Sequence, residues 1–181
     1  DNVRRFTFIV SVNDAVPTSL TNFVFKQNGT TLTGDVRSNK DSDTQYTVSI
    51  SSDNFSQATT FSNITLQLDY NYPGNTSPLT ATSKAASFTI PGYRITGLQQ
   101  NGTTLVYTAS LTGNASSYVY SLKYGADTDT STPTVSESNG VLTITYTTNT
   151  AYASGTQITF RITTATPDGG SSWSENISTL N

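Results

Sequence analysis

The chain contains no cysteine, no histidine and no methionine in its 181 residues. Without cysteine it has neither disulfide bonds nor a thiolate metal site, and without histidine it lacks the commonest general base and zinc ligand. The only glutamates are Glu137 and Glu175, and nothing in the sequence places an aspartate opposite either one. We therefore expect no catalytic residue, no metal site and no cofactor, and we interpret the protein as a non-enzyme.

Charge is also scarce, because charged residues make up 12% of the chain and its formal net charge is -3. Arg4 and Arg5 are the only adjacent basic pair, so no basic stripe is present to neutralise phosphates, and we expect no nucleic acid partner. No apolar run has the length of a membrane-spanning helix, which predicts a mature chain without a membrane span. Since the sequence starts at Asp1 rather than methionine, we expect a leader to have been cleaved, which implies export.

What the chain does contain is typical of an all-β fold. Thr, Ser, Asn, Gly, Tyr, Val and Ile form short alternating runs, separated by Asn-Gly, Pro-Gly and Asp-Gly-Gly turn signals. No segment predicts a helix longer than a turn or two.

An internal repeat divides the chain. Three separated landmarks recur at a period of about 72 residues. They are QNGTTL at 27–32 and 100–105, Tyr46 and Ser49 against Tyr118 and Ser121, and Ala86, Phe88 and Ile90 against Ile158, Phe160 and Ile162. The repeat predicts two tandem antiparallel β-sandwich domains, at residues 14–91 and 92–181.

The two copies differ at their ends. After Ile162 the second copy continues through a Pro-Asp-Gly-Gly turn to a closing strand predicted from Ser172 to Leu180. After Ile90 the first copy has only Pro91 and Gly92 before the second copy opens. The first domain is therefore predicted to lack an edge strand.

Residues 1–13 precede both copies and include an alternating apolar strand, VRRFTFIVSV. A sandwich without an edge strand exposes unpaired backbone groups, and a donated strand can fill that gap. We expect the segment from Arg4 to Val12 to enter the first domain of a neighbouring identical subunit and to pair beside Ala86–Ile90. The predicted donor residues are Phe6, Phe8, Val10 and Val12, and the predicted acceptor groove comprises Ala86, Phe88 and Ile90.

Seven Asn-x-Ser/Thr sequons predict N-glycans on an exported chain. They are Asn28, Asn54, Asn63, Asn75, Asn101, Asn114 and Asn176. Asn63 and Asn176 fall inside predicted strands, so we expect modification least at these two.

Two other features resemble binding sites for calcium or for a sugar. The acidic pairs Asp41/Asp43 and Asp127/Asp129 lack the glycine and distal glutamate of a calcium loop, which favours solvated turns. Trp173 lies next to a turn, and its ring could stack on a sugar if it is exposed.

The end of the second copy, TFRITTATPDGGSSWSE, with SYVYSLKY and VLTITY before it, resembles a fibronectin type III or similar immunoglobulin-like sandwich without the early core tryptophan. Taken whole, the chain resembles the subunits of archaeal thread-type surface filaments, which are donor-strand-complemented pilins. This resemblance implies a heavily glycosylated extracellular filament of head-to-tail subunits, serving adhesion or cell-cell contact.

Two alternatives stay open. The segment NDAVPTSLT spans at most about 30 Å, which is enough for the N-terminal strand to fold back into its own first domain. The chain would then be a tandem module of a surface adhesin, a surface-layer protein or a secreted enzyme. A carbohydrate-binding module is the other alternative, and it requires an exposed Trp173 coplanar with a neighbouring tyrosine.

Overall fold

The computed structural model of the protein describes residues 3–12, 17 and 19–181, and the fold is all-β. A single turn of 3-10 helix at Asp53–Ser56 is the one helical element among these residues, and none of them belongs to a helix that could span a membrane. The first eight strands are β1 Phe6–Ser11, β2 Ser19–Gln27, β3 Thr30–Thr31, β4 Asp35–Ser42, β5 Gln45–Ser51, β6 Thr59–Asn71, β7 Leu79–Thr82 and β8 Ala86–Ile90. The next eight are β9 Gly92–Asn101, β10 Thr104–Thr112, β11 Ser117–Tyr124, β12 Asp127–Thr128, β13 Thr134–Ser138, β14 Val141–Thr147, β15 Gln157–Ala165 and β16 Ser171–Thr179.

The strands form where apolar and polar residues alternate. In β14, VLTITYT, the side chains of Leu142, Ile144 and Tyr146 are buried, and the residues between them are less so. This period of two matches the pleat of a strand with one face on a core. Because threonine and valine are stiff and branched at Cβ, they favour the extended backbone.

The chain separates into two compact units. Residues 1–55 and 60–88 belong to the first unit, and residues 56–59 and 89–181 belong to the second. Each unit is a pair of antiparallel sheets packed as a sandwich. The short segment 56–59, which follows Phe55 and includes the first residue of β6, groups with the second unit.

The second unit has immunoglobulin-like topology. One sheet has the strand order β13-β14-β10-β9 and the other the order β12-β11-β15-β16. With β9 as the first strand, these are the two sheets of an immunoglobulin-type sandwich. In the core, Tyr107 stacks on Phe160 with 4.0 Å between ring centroids, so an aromatic pair fills the centre of a sandwich that lacks the early core tryptophan.

The first unit is built differently. One sheet has the order β3-β2-β6-β7, with β8 also paired to β6, and the other has only three strands, in the order β1-β5-β4. Its core contains buried side chains from both sheets and from the 3-10 turn: Phe25, Val48, Ile50, Phe55, Phe61, Ile64, Leu66 and Leu68. The strand β1 is therefore one edge of a sheet that holds two strands without it.

The pairing of β8 departs from the repeat. The period aligns Ala86–Ile90 with the strand that contains Phe160, and that strand, β15, pairs with β11 and β16. In contrast, β8 pairs with β6 in the opposite sheet. The strand β6 is 13 residues long and β7 covers only Gln67–Tyr70 of its edge, so the rest of that edge is free to pair with β8.

Candidate functional site

The site that the sequence singles out is the edge formed by β1. It pairs antiparallel with β5 over all six of its residues, with Phe6 opposite Ile50. The N–H of Val12 donates to the carbonyl oxygen of Thr44 at 2.9 Å, which extends the ladder past the end of the strand. The backbone of residues 6–12 is thus bonded to a strand of its own chain.

Exposure alternates along this segment. The predicted donor residues are half-buried and the residues between them are exposed: Phe6, Phe8, Val10 and Val12 on the inner face, against Thr7, Ile9 and Ser11 on the outer face. Ile9 is 65% exposed, so the inward and outward positions of β1 differ sharply.

The partner of β1 differs from the one expected. Within the single chain β1 lies beside β5, whereas Ala86–Ile90 pairs with β6 in the other sheet. Of the three predicted acceptor residues, Ile90 is buried and Ala86 and Phe88 are half-buried. The strand β8 pairs with β6, and it contacts β1 through the ring of Phe88.

That contact belongs to a cluster of six of the eight phenylalanines in the chain. Phe6 stacks on Phe88 with 4.5 Å between centroids, and Phe88 stacks on Phe61 at 5.0 Å. Edge contacts add Phe55 to Phe88 and Phe8 to Phe6, and Phe8 also lies 5.8 Å from Phe25. We call this set the aromatic cluster: Phe6, Phe8, Phe25, Phe55, Phe61 and Phe88. Aromatic pairs of this kind stabilise beyond their buried area by about 0.5–1.5 kcal/mol each.

Beyond Phe8, the inner face of β1 meets an open apolar cleft. Val10 and Val12 line it together with Leu20, Leu68 and Tyr70. The second half of the segment therefore contacts aliphatic and tyrosine side chains rather than phenylalanine rings. The inward side chains of β1 thus lie in two different environments. Phe6 and Phe8 belong to the aromatic cluster, and Val10 and Val12 line the open apolar cleft.

Arg5, just before β1, makes polar contacts that sequence reasoning missed. Its guanidinium donates to Ser49 Oγ at 2.9 Å, to Ser51 Oγ at 3.1 Å, to Asp35 Oδ2 at 3.0 Å and to the Asp35 carbonyl oxygen at 2.8 Å. The signal in the sequence was the basic pair Arg4 and Arg5 ahead of an apolar strand, which was considered only as a phosphate contact. Two neighbouring strands of one sheet, β4 and β5, thus supply the acceptors of this side chain.

Electrostatics at Asp35 follow from these contacts. The hydrogen bond from Arg5 lowers the pKa of the Asp35 carboxyl, burial opposes that change, and Arg37 lowers the pKa further. Arg37 reaches the same oxygen, Oδ2, at 2.8 Å from its own strand. The carboxylate thus holds two cations, one from β4 and one from the segment that begins β1.

The sequons divide by exposure. The side chains of six are exposed: Asn28, Asn54, Asn63, Asn75, Asn101 and Asn114. Asn176 is half-buried in β16, and its Oδ1 atom is buried without a hydrogen-bond partner. Asn63 lies in β6 but with a positive φ of 53°, and its Nδ2 donates to Asn28 Oδ1 at 2.9 Å. Two sequons thus meet on one exposed surface.

Trp173 is engaged within the second unit. It is half-buried, the guanidinium carbon of Arg161 lies 4.4 Å from its ring centroid, and its Nε1–H donates to Ser56 Oγ at 3.0 Å. A cation over the ring face occupies the position that a pyranose would take. This arrangement weighs against Trp173 as a sugar-stacking surface.

The acidic pairs make local contacts. Asp41 accepts from Asn39 and Thr47, and Asp43 accepts from Lys40 at 2.7 Å. Asp127 accepts from Tyr152, and Asp129 accepts from the backbone N–H of Ser131. Across the described part of the chain, no three His, Cys, Asp or Glu side chains are grouped so that they could hold a metal ion.

Comparison with known proteins adds little about function. No protein-family model matches the chain, and no curated protein matches its sequence. Among solved structures, the ectodomain of mouse nectin-like molecule 4, which comprises three immunoglobulin domains, is similar over 96% of this chain with 13% identity and a TM-score of 0.32. The chain spans 63% of that ectodomain. At this TM-score the likeness carries no argument about function.

Proposed function

We propose that the protein is a structural subunit of an extracellular filament, in which each copy donates β1 to the first unit of the next copy. The observation that supports this most directly is the position of β1 as the edge of the sheet β1-β5-β4. In chain order, β1 precedes every other strand described, and β2 begins at Ser19. The proposed filament subunit is a structural protein, without enzymatic activity or a cofactor.

The first unit needs a strand at this position. Without β1, β5 would expose its outer row of backbone groups, and Val48 and Ile50, which are both 0% exposed, would lose part of their cover. Two paired strands are at best marginally stable alone, and an open apolar edge invites aggregation. An empty acceptor is therefore the least favourable state of this unit.

In the structure, the strand that fills this place comes from the same chain. Domain swapping replaces such a contact by the identical contact from a second copy, with the residues and register unchanged. When the strand is donated to a second copy, donor and acceptor are different surfaces, so the contact does not close on itself and propagates into a fibre.

A pair of substitutions on neighbouring residues of β1 tests this proposal. Phe8→Asp places a charge among Phe6, Phe25 and Val48, whereas Ile9→Asp places the same charge on the exposed face. Negative-stain electron microscopy of protein from the cell surface should show fibres for the wild type and Ile9→Asp and none for Phe8→Asp. Fibres of wild-type length from Phe8→Asp would refute donation of β1.

We further propose that the filament is N-glycosylated at its exposed sequons. Glycopeptide mapping should find glycan on several of the six exposed asparagines and least on Asn176, whose amide oxygen is buried. Equal occupancy at Asn176 and Asn101 would contradict this order, and unmodified peptides throughout would contradict glycosylation itself.

The alternative is a tandem immunoglobulin-like module of a surface adhesin, a surface-layer protein or a carbohydrate-binding protein. The pairing of β1 with β5 of its own chain favours it, since that pairing needs no second copy. Monodisperse monomers from native cell-surface protein would support the module and sink the filament. A glycan-array signal abolished by Trp173→Ala would support carbohydrate binding in particular.

A further inference from the structure

The side chain of Arg5 crosses a whole strand to reach its partners. It projects from the start of β1 over β5, where it meets Ser49 and Ser51, and ends on Asp35 of β4. Asp35 stands opposite Ser51 in the ladder between β4 and β5. We call these three acceptors, Asp35, Ser49 and Ser51, the Arg5 site.

The contact differs from the other ion pairs described on this unit. The Arg5 side chain is 21% exposed, whereas those of Arg37 and Lys40 are 61% and 51% exposed and pair with acids on or next to their own strand. Exposed pairs of that kind stabilise little. A guanidinium with a planar set of donors can satisfy several acceptors together, which an ammonium cannot do with the same geometry.

Register explains what such a contact adds. A slip of β1 by one residue would turn Phe6 and Phe8 to the outside, so the apolar pattern already forbids it. A slip by two residues keeps the same face inward, because apolar side chains recur at every second position from Phe6 to Val12. The apolar pattern alone therefore discriminates weakly between registers that differ by two. Such a slip moves Arg5 about 7 Å along β5, away from Ser49, Ser51 and Asp35.

We propose that the Arg5 site is the recognition element that selects the incoming strand of a second copy of this chain and fixes its register. This inference rests on the proposed filament function. The partner is identified by its chemistry, a strand with a guanidinium directly before its first inward aromatic residue. Aspartate, two hydroxyl groups and a backbone carbonyl at the acceptor complement that guanidinium in charge and in hydrogen bonding.

Charge exchange between donor and acceptor tests the proposal with full-length chains. Arg5→Asp places an aspartate against Asp35, and Asp35→Arg places an arginine against Arg5. Because like charges then face each other, the fibre yield of each variant alone should fall at least roughly tenfold at low salt. In an equal mixture, the unchanged Arg5 of one variant meets the unchanged Asp35 of the other, and the two substituted side chains meet as a pair of opposite charge. We expect the mixture, and separately the double variant Arg5→Asp/Asp35→Arg, to recover fibres.

Two controls accompany these variants. Arg37→Asp reverses a charge beside Asp35 without touching the donor strand, and it should assemble like the wild type. Arg5→Lys keeps the charge but loses the planar donor set, and it should give intermediate fibre yield with a stronger salt dependence. Circular dichroism of each monomer before assembly checks that the variants are folded.

The outcomes separate this inference from the function on which it rests. Normal fibres from both single variants would overturn the Arg5 site and leave strand donation standing. Recovery of fibres in the double variant but not in the mixture would mean that Arg5 meets Asp35 of its own chain, which overturns both recognition of a second copy and donation of β1, since the fibres would then form through another contact. Recovery in the mixture supports both.

Discussion

The strands β5 and β11 occupy equivalent places in the two units and differ in where their neighbours come from. Opposite Leu122 of β11 stands Phe160, which belongs to β15 of the same unit. Opposite Ile50 of β5, the residue that the repeat aligns with Leu122, stands Phe6 of β1. An aromatic side chain fills the same position in both, but only the second unit supplies it from inside its own run of strands.

This difference separates a self-sufficient sandwich from a dependent one. In the second unit, both sheets are assembled from strands that follow one another between Gly92 and Thr179. In the first unit, one of the three strands in a sheet, β1, comes from the segment that precedes the repeat. The two units share the landmarks of the repeat, yet among the described strands only the first unit has a sheet that includes a strand from ahead of the repeat.

Removal of β1 should have the largest effect on the stability of the first unit relative to the second. A chain that begins at Asn13 is expected to lose cooperative folding of the first unit, because the remaining sheet has two strands, while the second unit keeps all its own strands. Differential scanning calorimetry should show one transition instead of two. Addition of a synthetic peptide covering residues 3–12 should restore the second transition, and two unchanged transitions without the peptide would contradict the dependence.

Truncation of the two equivalent phenylalanines should give a graded difference. Phe160→Ala removes a fully buried ring and should destabilise the second unit by about 3–5 kcal/mol. Phe6→Ala removes a half-buried ring and should destabilise the first unit by about 1–2 kcal/mol. Chemical denaturation measures both free energies of unfolding. Trp173 fluorescence reports the second unit, and circular dichroism reports both units. A larger loss of stability from Phe6→Ala than from Phe160→Ala would contradict the expectation that the second unit has the stronger core.

Alkaline pH should destabilise the second unit. Burial raises the pKa of Tyr93 to about 12, aided by its hydrogen bond to Glu137, and burial raises the pKa of Tyr107 and Tyr146 as well. A raised pKa in the folded state means that stability is complete below pH 10 and is lost as pH rises towards the folded value, by up to about 1.4 kcal/mol per pH unit for each tyrosine. Calorimetry at pH 8 and pH 11 should show the second unit unfolding at a lower temperature at the higher pH.

A conservative variant isolates one of these tyrosines. The hydroxyl of Tyr107 is buried without a hydrogen-bond partner, so Tyr107→Phe should be neutral or stabilising at pH 7 and should reduce the alkaline loss. If Tyr107→Phe lost as much stability between pH 8 and pH 11 as the wild type, ionisation of Tyr107 would not contribute to the alkaline loss of stability.

Acid pH should act on the first unit, and weakly. Hydrogen bonds from Arg5, Lys40 and Asn22 lower the pKa of Asp35, Asp43 and Asp69 respectively. Their contribution is present above the ordinary carboxyl pKa of 3.8 and is lost as pH falls through the lowered values. Because these groups are solvent-exposed, the melting temperature of the first unit should fall only slightly between pH 5 and pH 2.5. Asp35→Asn should abolish part of that fall, and a collapse of the unit by pH 3 would contradict it.

Much of the fold could be predicted from the sequence, because alternation is a local property. The inward face of β1, the closing strand β16 and the hairpin turns at Asn28 and Asn101 all follow from runs of a few residues. Exposure of Asn63 could not be read from its position in a strand, because it depends on a positive φ of 53° within β6. Arg5 was missed for a related reason, since its partners lie on two strands that are distant in sequence.

Residue type and spacing along the chain were enough to establish that the protein is all-β, that it repeats, and which side chains of the N-terminal strand point inward. They were not enough to establish that β1 lies beside β5 rather than beside Ala86–Ile90, which emerges from the folded arrangement of the strands. Pairing depends on which strand edges remain free after all others have paired. Here β6 is long enough to bind both β7 and β8, which leaves the edge of β5 as the place where β1 binds.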